Sequence, residues 1–241
     1  MDYSAHYARF HPDTAAHDTS LDAILSRWLL PRLPAARASS ILDVGCGRGY
    51  ALRLLRSLGY SDLSGVDIDA GQVGFAQSLG LPVERVGDAT EFLEARTARY
   101  DVVLLMDVLE HLAPAGQAGM LSRIRAALRP GGRLICTVPN AASPVASYVR
   151  HVDSTHQTSF TVESLHFALS QSELRVEQIV GAEFFFRPRF LFWLPSRRTL
   201  QWLLLCLVRA RWRLIYLAEL GFAGGWKVPL APNLIALAFR Q

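Results

Sequence analysis

From Ser40 onward, short apolar runs ending in glycine or aspartate alternate with stretches whose apolar residues recur at helical spacing. Ile41–Gly45 is the first run, and Leu52, Leu55 and Leu58 mark a helix over Tyr50–Leu58 that Gly59 closes. Leu63–Asp67 is the second run, followed by a helix over Ala70–Leu79 that stops at Gly80. Val83–Val86, Val102–Met106 and Arg133–Val138 continue the series, with a helix over Gln117–Leu128 ended by the turn Arg129-Pro130-Gly131-Gly132. Strands alternating with helices at this interval predict right-handed βαβ crossovers. The expected fold is therefore α/β with a mostly parallel sheet. Ligands of such a sheet bind beyond the carboxyl ends of its strands.

Ser20–Leu30 reads as an amphipathic helix ended by Pro31 and Pro34, and Thr161 with Ser164 three residues on starts another. Arg175–Val180 and Asn233–Phe239 read as late strands. Phe184–Lys227 differs from the rest: it holds four of the five tryptophans and seven arginines around the apolar run Leu200–Val208. A bilayer-spanning helix needs about 20 apolar residues, and this run is nine long before Arg209, Arg211 and Arg213 interrupt it. The expected organisation is an N-terminal helical cap over 1–39, a core over 40–183, a helical apolar and basic insertion over 184–228, and a final strand within 229–241.

Composition narrows the class. Of 241 residues, 51% are hydrophobic and 19% charged, which excludes a disordered chain. The net charge of +4 conceals an asymmetry. Residues 1–183 carry 16 arginines against 20 acids, and residues 184–241 carry eight arginines and Lys227 against Glu219 alone. Basic residues joined to Trp and Leu suit an anionic membrane interface, which is the partner expected for 184–227. Nucleic acid is not expected, because bulky Leu runs fit its grooves poorly and lysine is nearly absent; an extra helical layer or a dimer face is the competing reading. Cys46, Cys136 and Cys206 stand far apart, forming neither a disulfide framework nor a zinc motif. The first 20 residues lack the apolar core of a signal peptide. Together these point to the cytoplasm, with the chain peripheral at the inner face of the membrane.

Candidate chemistry begins at Asp43-Val44-Gly45-Cys46-Gly47-Arg48-Gly49. Alternate glycines let the backbone turn sharply and approach a ligand, with the Asp43 carboxyl placed under the turn. A dinucleotide fingerprint requires a third glycine where Tyr50 stands, which disfavours an NAD-type oxidoreductase. About 20 residues further on, Asp67 closes the second run and is suited to accept both hydroxyls of a ribose. Asp69 reads as the N-cap of the next helix. Asp88, in Gly87-Asp88-Ala89, is either a ligand contact or a helix cap. Tyr3, Tyr7 and Phe10 either fold over the ligand or anchor the terminus.

The glycine spacing, the aspartates ending the second and third runs, the element Asp107-Val108-Leu109-Glu110-His111 and the turn Arg129-Pro130-Gly131-Gly132 fall in order. From about Ser40 to Phe239 the chain resembles class I S-adenosylmethionine-dependent methyltransferases. It is most similar to the small-molecule type, including quinone-biosynthesis O-methyltransferases and glycan or lipid methyltransferases. The resemblance implies a Rossmann-like, doubly wound, seven-stranded and mostly parallel sheet with an antiparallel last strand. It also implies S-adenosylmethionine as cofactor and a small or lipid-linked methyl acceptor, with oxygen as the expected atom. Cofactor contacts are implied at Asp43, Gly45, Gly47, Gly49, Asp67, Ile68 beside the adenine, Asp88 and Ala89 at its amino group, and Met106 and Asp107.

An oxygen acceptor must lose a proton, and His111 is the candidate general base. His156, in the Thr155-His156 loop before Phe160, resembles an acceptor-side residue; its alternative is to bond loop backbone. Asp107, Glu110 and His111 stand at i, i+3 and i+4. On a helical turn they would share a face, and some quinone O-methyltransferases use a matching triplet for a metal, so magnesium is a second expected ligand. A non-catalytic S-adenosylmethionine-binding protein is the alternative function.

Overall fold

The computed structural model describes residues 15–183, 190–191 and 194–241. Its main sheet has seven strands: β1 (Ile41–Val44), β2 (Leu63–Asp67), β3 (Val83–Arg85), β4 (Tyr100–Met106), β5 (Leu128–Pro139), β6 (Leu174–Ala182) and β9 (Asn233–Arg240). They lie in the order β3-β2-β1-β4-β5-β9-β6. The pairs among β1–β5 are parallel, and β9 runs antiparallel to both neighbours, as the sequence predicts. A two-residue pairing of β7 (Phe190–Leu191) with β8 (Leu194–Pro195) stands apart.

Burial on both faces explains why the central strands read as continuous apolar runs. Along β4, Val102 and Leu104 join a cluster with Trp28 and Leu29 of helix α1 (Ala15–Leu29) and Ala51 and Leu55 of α2 (Tyr50–Ser57). Val103 and Leu105 point the other way, to Leu93 of α4 (Ala89–Glu94), Leu121 and Ile124 of α5 (Pro114–Ala127), and Leu165 and Leu169 of α7 (Val162–Gln171). Helix α3 (Ala70–Ser78) closes a third cluster through Val73 and Ala76. Each fully buried Leu or Ile contributes about 1.5–3 kcal/mol.

The structure departs from the predicted elements in two places. Arg129-Pro130-Gly131-Gly132 does not precede β5 but loops out of it: Tyr100 pairs with Leu128 and Val102 with Arg133, so the turn is a bulge within one strand. Helices α4 and α6 (Ala146–Val152) have no sequence forecast, being six and seven residues long with at most one buried side chain each. Too few apolar positions exist there to set a period.

Within the segment expected to be a helical insertion, α8 (Arg197–Gly225) continues through the arginines that end the apolar stretch. Ser196 caps it by accepting the Thr199 N–H. Arg209 pairs with Glu183 at 2.7 Å, and Arg213 donates to the carbonyl oxygens of Gly225 and Trp226. Those two cations therefore stabilise the helix instead of breaking it. At Gly221 the backbone turns left-handed (φ 70°) and the last turn folds back on the first part; a Cβ at Gly225 would lie 2.3 Å from the Tyr216 carbonyl oxygen. Among the described residues no helix is long and apolar enough to cross a membrane.

Candidate active site

Between β1 and α2 the glycine turn takes left-handed backbone at Gly45 (φ 72°), Gly47 (φ 51°) and Gly49 (φ 75°). Space reinforces the requirement, since a Cβ at Gly45 would lie 2.4 Å from Val108 Cγ2 and one at Gly49 2.5 Å from Leu81 Cδ1. The turn is tied to β2 through Asp67: Gly47 N–H donates to Oδ2 at 2.8 Å and Asp69 N–H to Oδ1 at 2.9 Å. Asp69 caps α3 by accepting the Gln72 N–H. Below the turn, Asp43 is 2% exposed, and its Oδ1 has no hydrogen-bond partner among the described residues. Burial, aided by the charge of Asp67, pushes its carboxyl up to about 7. A buried carboxyl without a partner is unfavourable, so a ligand that brings a donor or a positive charge over the turn would satisfy it.

Ile68 holds its side chain 63% exposed where it lines the cleft. Asp88 lines the same cleft and also caps α4, accepting the Thr90 N–H at 2.6 Å and the Thr90 hydroxyl. Those bonds hold its carboxyl below the usual range. The helix-cap alternative for Asp88 is therefore observed, and the same residue stands on the cleft wall where a ligand contact is expected. Cys46, beside them, is buried with its thiol pushed up by burial and by Asp43 and Asp67, which makes it a packing residue and no nucleophile.

The other half of the cleft is built from β4, β5, the 153–156 loop and the start of β9. Asp107 leaves β4 in left-handed backbone (φ 53°), a conformation uncommon outside glycine. Its N–H donates to the Thr137 carbonyl and Oγ1, and its Oδ1 accepts from the Thr137 hydroxyl and from Asn233 Nδ2, each at 3.0 Å. Although Asp107 opens onto the cleft, it lies deep within it, and that depth raises its pKa against the pull of Thr137, His156 and Asn233.

The next turn, Leu109–His111, is a short 3-10 helix. Asp107 lies outside it, so the predicted helical face of Asp107, Glu110 and His111 does not form. The groups that converge are Glu110, His111 and His156, with donor atoms within 4.8 Å of one another. Two imidazoles and one carboxylate are not the oxygen shell that magnesium takes. The residues present do not fit magnesium.

His111 Nδ1 lies 2.7 Å from Thr155 Oγ1, and that hydroxyl lies 2.6 Å from Asp153 Oδ1. A hydroxyl has one proton, and the carboxylate is its stronger acceptor, so His111 Nδ1 is the donor to Thr155. Neutral His111 then carries its basic lone pair on Nε2. Burial, with help from His156, lowers the His111 pKa, while Asp153 opposes the shift. His156 donates from Nδ1 to the Val149 carbonyl at 3.1 Å and meets the His111 ring edge-on, 4.7 Å between centroids. Its loop-backbone bond and its place on the cleft coexist. Glu110 lies behind them, 1% exposed, with neither carboxyl oxygen bonded among the described residues. Burial first, then the charges of Asp107 and Asp153, push its carboxyl well above the usual range.

These two halves form one cleft of about 1100 Å³. Its lining includes Asp43, Gly45, Gly47, Asp67, Ile68, Asp88, Ala89, Met106, Asp107, His111 and His156. Gly49 starts α2 behind the lining, and Tyr3, Tyr7 and Phe10 lie outside the described residues. Sequence reasoning gave no role to Asp153, Thr155, Thr137 and Asn233, or to Leu21, Ile24 and Leu25, which α1 adds to the wall. Typical small-molecule pockets span about 300–1,000 Å³; this one has room for two reactants side by side.

The strand order with one antiparallel strand, and a glycine turn and two aspartates at successive strand ends, define the class: a Rossmann-like class I S-adenosylmethionine-dependent methyltransferase fold. The chain belongs to the methyltransferase-domain family, whose model matches residues 16–179. It is 35% identical over 167 residues to the ubiquinone biosynthesis O-methyltransferase of Azorhizobium caulinodans, covering 67% of this chain and 51% of that protein. With the protein of the same name from Cereibacter sphaeroides it shares 34% over 104 residues, 42% of this chain and 41% of the other. The chain thus spans about half or less of the length of these curated relatives. In fold it is similar to a SAM-dependent methyltransferase from Archaeoglobus fulgidus, with TM-score 0.70, 22% identity, and coverage of 99% and 100%. A second similar structure, a methyltransferase from Mesorhizobium loti, gives 0.59 at 18% identity, covering 91% and 100%.

Proposed function

We propose that the protein is an S-adenosylmethionine-dependent methyltransferase acting on an oxygen of a small or lipid-linked acceptor in the cytoplasm. The observation that carries this reading is the Asp153–Thr155–His111 chain, which opens onto the same cleft as the glycine turn and Asp67. One half is shaped to hold a nucleoside-bearing cofactor and the other to accept a proton. The three free cysteines suit a reducing compartment.

S-adenosylmethionine, when bound, supplies an electrophilic methyl group on a sulfonium; the protein aligns the reactants and excludes water. The Gly45–Gly49 backbone and Asp43 receive the methionine end. Asp67 accepts the ribose hydroxyls, since each of its oxygens has acceptor capacity beyond the backbone N–H it already binds. Ile68 would flank the adenine, with Asp88 and Ala89 at its amino group, and Met106 and Asp107 would complete the cofactor wall. His111 takes the acceptor proton at Nε2, held in that tautomer by Thr155 and Asp153. His156 lines the acceptor side, with the buried Glu110 carboxyl behind the two rings.

Calorimetric titration with S-adenosylmethionine, followed by incubation with a methyl-labelled form and a cell lysate, tests the reading. Binding and a labelled small molecule or lipid support it. Binding with no labelled product under any condition would leave a non-catalytic binding protein, and heat with NAD alone would make it an oxidoreductase.

A further inference from the structure

We propose that the outward face of α8 is a docking surface for an anionic phospholipid bilayer. Leu200, Leu204, Leu207 and Leu214 follow one another at helical spacing and are 49%, 62%, 68% and 67% exposed. Only Thr199 and Gly225 of the 29 residues are buried. From Leu200 to Leu214 the stripe is about 21 Å long at 1.5 Å per residue, along the helix and not across a bilayer. At its far end the fold-back after Gly221 presents Phe222 and Trp226, 82% and 68% exposed. A patch of this kind marks an interaction site.

Charge selects the occupant. Arg211 sits on the stripe itself, Arg197 and Arg198 stand at one end and Lys227 at the other, and none of these has an ion-pair partner among the described residues. The one acid on α8 is Glu219. A second copy of this face would set cations against cations, and the chain's own residues 184–193 contain no acid to neutralise them. Anionic headgroups complement the cations while Leu, Phe and Trp enter the apolar boundary, the arrangement of an interfacial helix.

Topology gives the surface a purpose. β6 ends and β9 begins side by side, Ala182 opposite Asn233, so the segment between them rises from the sheet edge where the cleft opens. Tyr216 of α8 donates to the Ala142 carbonyl, Asn140 donates to the carbonyls of Pro229 and Ala231, and Asn233 reaches the Asp107 carboxylate. A bilayer under α8 therefore lies beside the acceptor half of the cleft.

Vesicle flotation of the full chain tests this without any need for turnover. Wild type is expected to float with vesicles containing phosphatidylglycerol and not with phosphatidylcholine alone, and less so as salt rises. Changing Arg197, Arg198 and Arg211 to Gln should weaken partition about fivefold per charge. Leu204→Asp with Leu207→Asp should abolish it, with thermal melting unchanged because both side chains already face solvent. Absence of wild-type flotation, equal flotation of the Asp variant, or a dimer that this variant dissociates would each overturn the proposal.

Discussion

The two halves of the cleft, proposed for the cofactor and for the acceptor, are made in opposite ways. The first presents backbone: three left-handed glycines within five residues, locked by Asp67 through two main-chain N–H bonds. The second presents side chains: His111 meets Thr155 across 44 residues of sequence and Asp107 meets Asn233 across 126. Backbone held by local turns is rigid and spelled out by contiguous residues. Side chains gathered from four segments can be retuned by a change in any one of them. On the proposed reading, the first half serves the cofactor and the second the methyl acceptor.

The largest expected effect is on the rigid half. Gly47→Val places a branched side chain in left-handed backbone on the cleft wall, and should abolish S-adenosylmethionine binding in calorimetry while the core still melts cooperatively. Tight binding by this variant would mean that the turn does not hold the cofactor. Asp67→Ala should weaken binding by about 1.5–3 kcal/mol, the scale of charge-assisted hydrogen bonds, with part of the loss coming from a loosened turn.

In the acceptor half, Thr155→Val removes the hydroxyl that fixes the His111 tautomer. Turnover should fall roughly tenfold, within the range of a partly lost general base, with cofactor affinity unchanged. The pH profile sharpens the point. Because the His111 pKa is lowered, the neutral base persists below its ordinary value near 6.5, and the rate should fall only at more acid pH. Thr155→Val should move that limb, whereas a merely structural threonine would leave its position fixed.

A further effect concerns stability in the absence of ligand. Asp43 has a folded value of about 7, above its unfolded value of about 3.9. Between those values the folded state keeps a proton that the unfolded chain has released. The Asp43 contribution to ligand-free stability should therefore be fully present below about pH 4, decline as pH rises to about 7 and level off beyond. Asp43→Asn should flatten that decline in denaturant melts run across the range; an unchanged slope would show that another group causes it.

The same contrast explains what the sequence revealed. β1, β2 and β4 announce themselves as apolar runs because both faces of the sheet are covered, and Asp43 to Gly49 is legible because its chemistry is local. The acceptor half is legible only in part. His111 and His156 stand out by residue type, but nothing local tells that their rings touch or that Thr155 joins one to Asp153. The metal triplet failed for a specific reason: the face shared at i, i+3 and i+4 presumes helical backbone, and Asp107 is left-handed. In the insertion, arginines that seemed to end an apolar segment are accommodated by Glu183 and by carbonyls of the fold-back, partners that lie 12 to 26 residues away.

The division of labour is tested most directly by His111→Ala measured twice on one preparation, for S-adenosylmethionine affinity by calorimetry and for methyl transfer to a labelled acceptor. The account predicts unchanged affinity and a rate lower by about 100-fold or more. Equal rates, or a loss of cofactor affinity that accounts for the whole decrease, would contradict it.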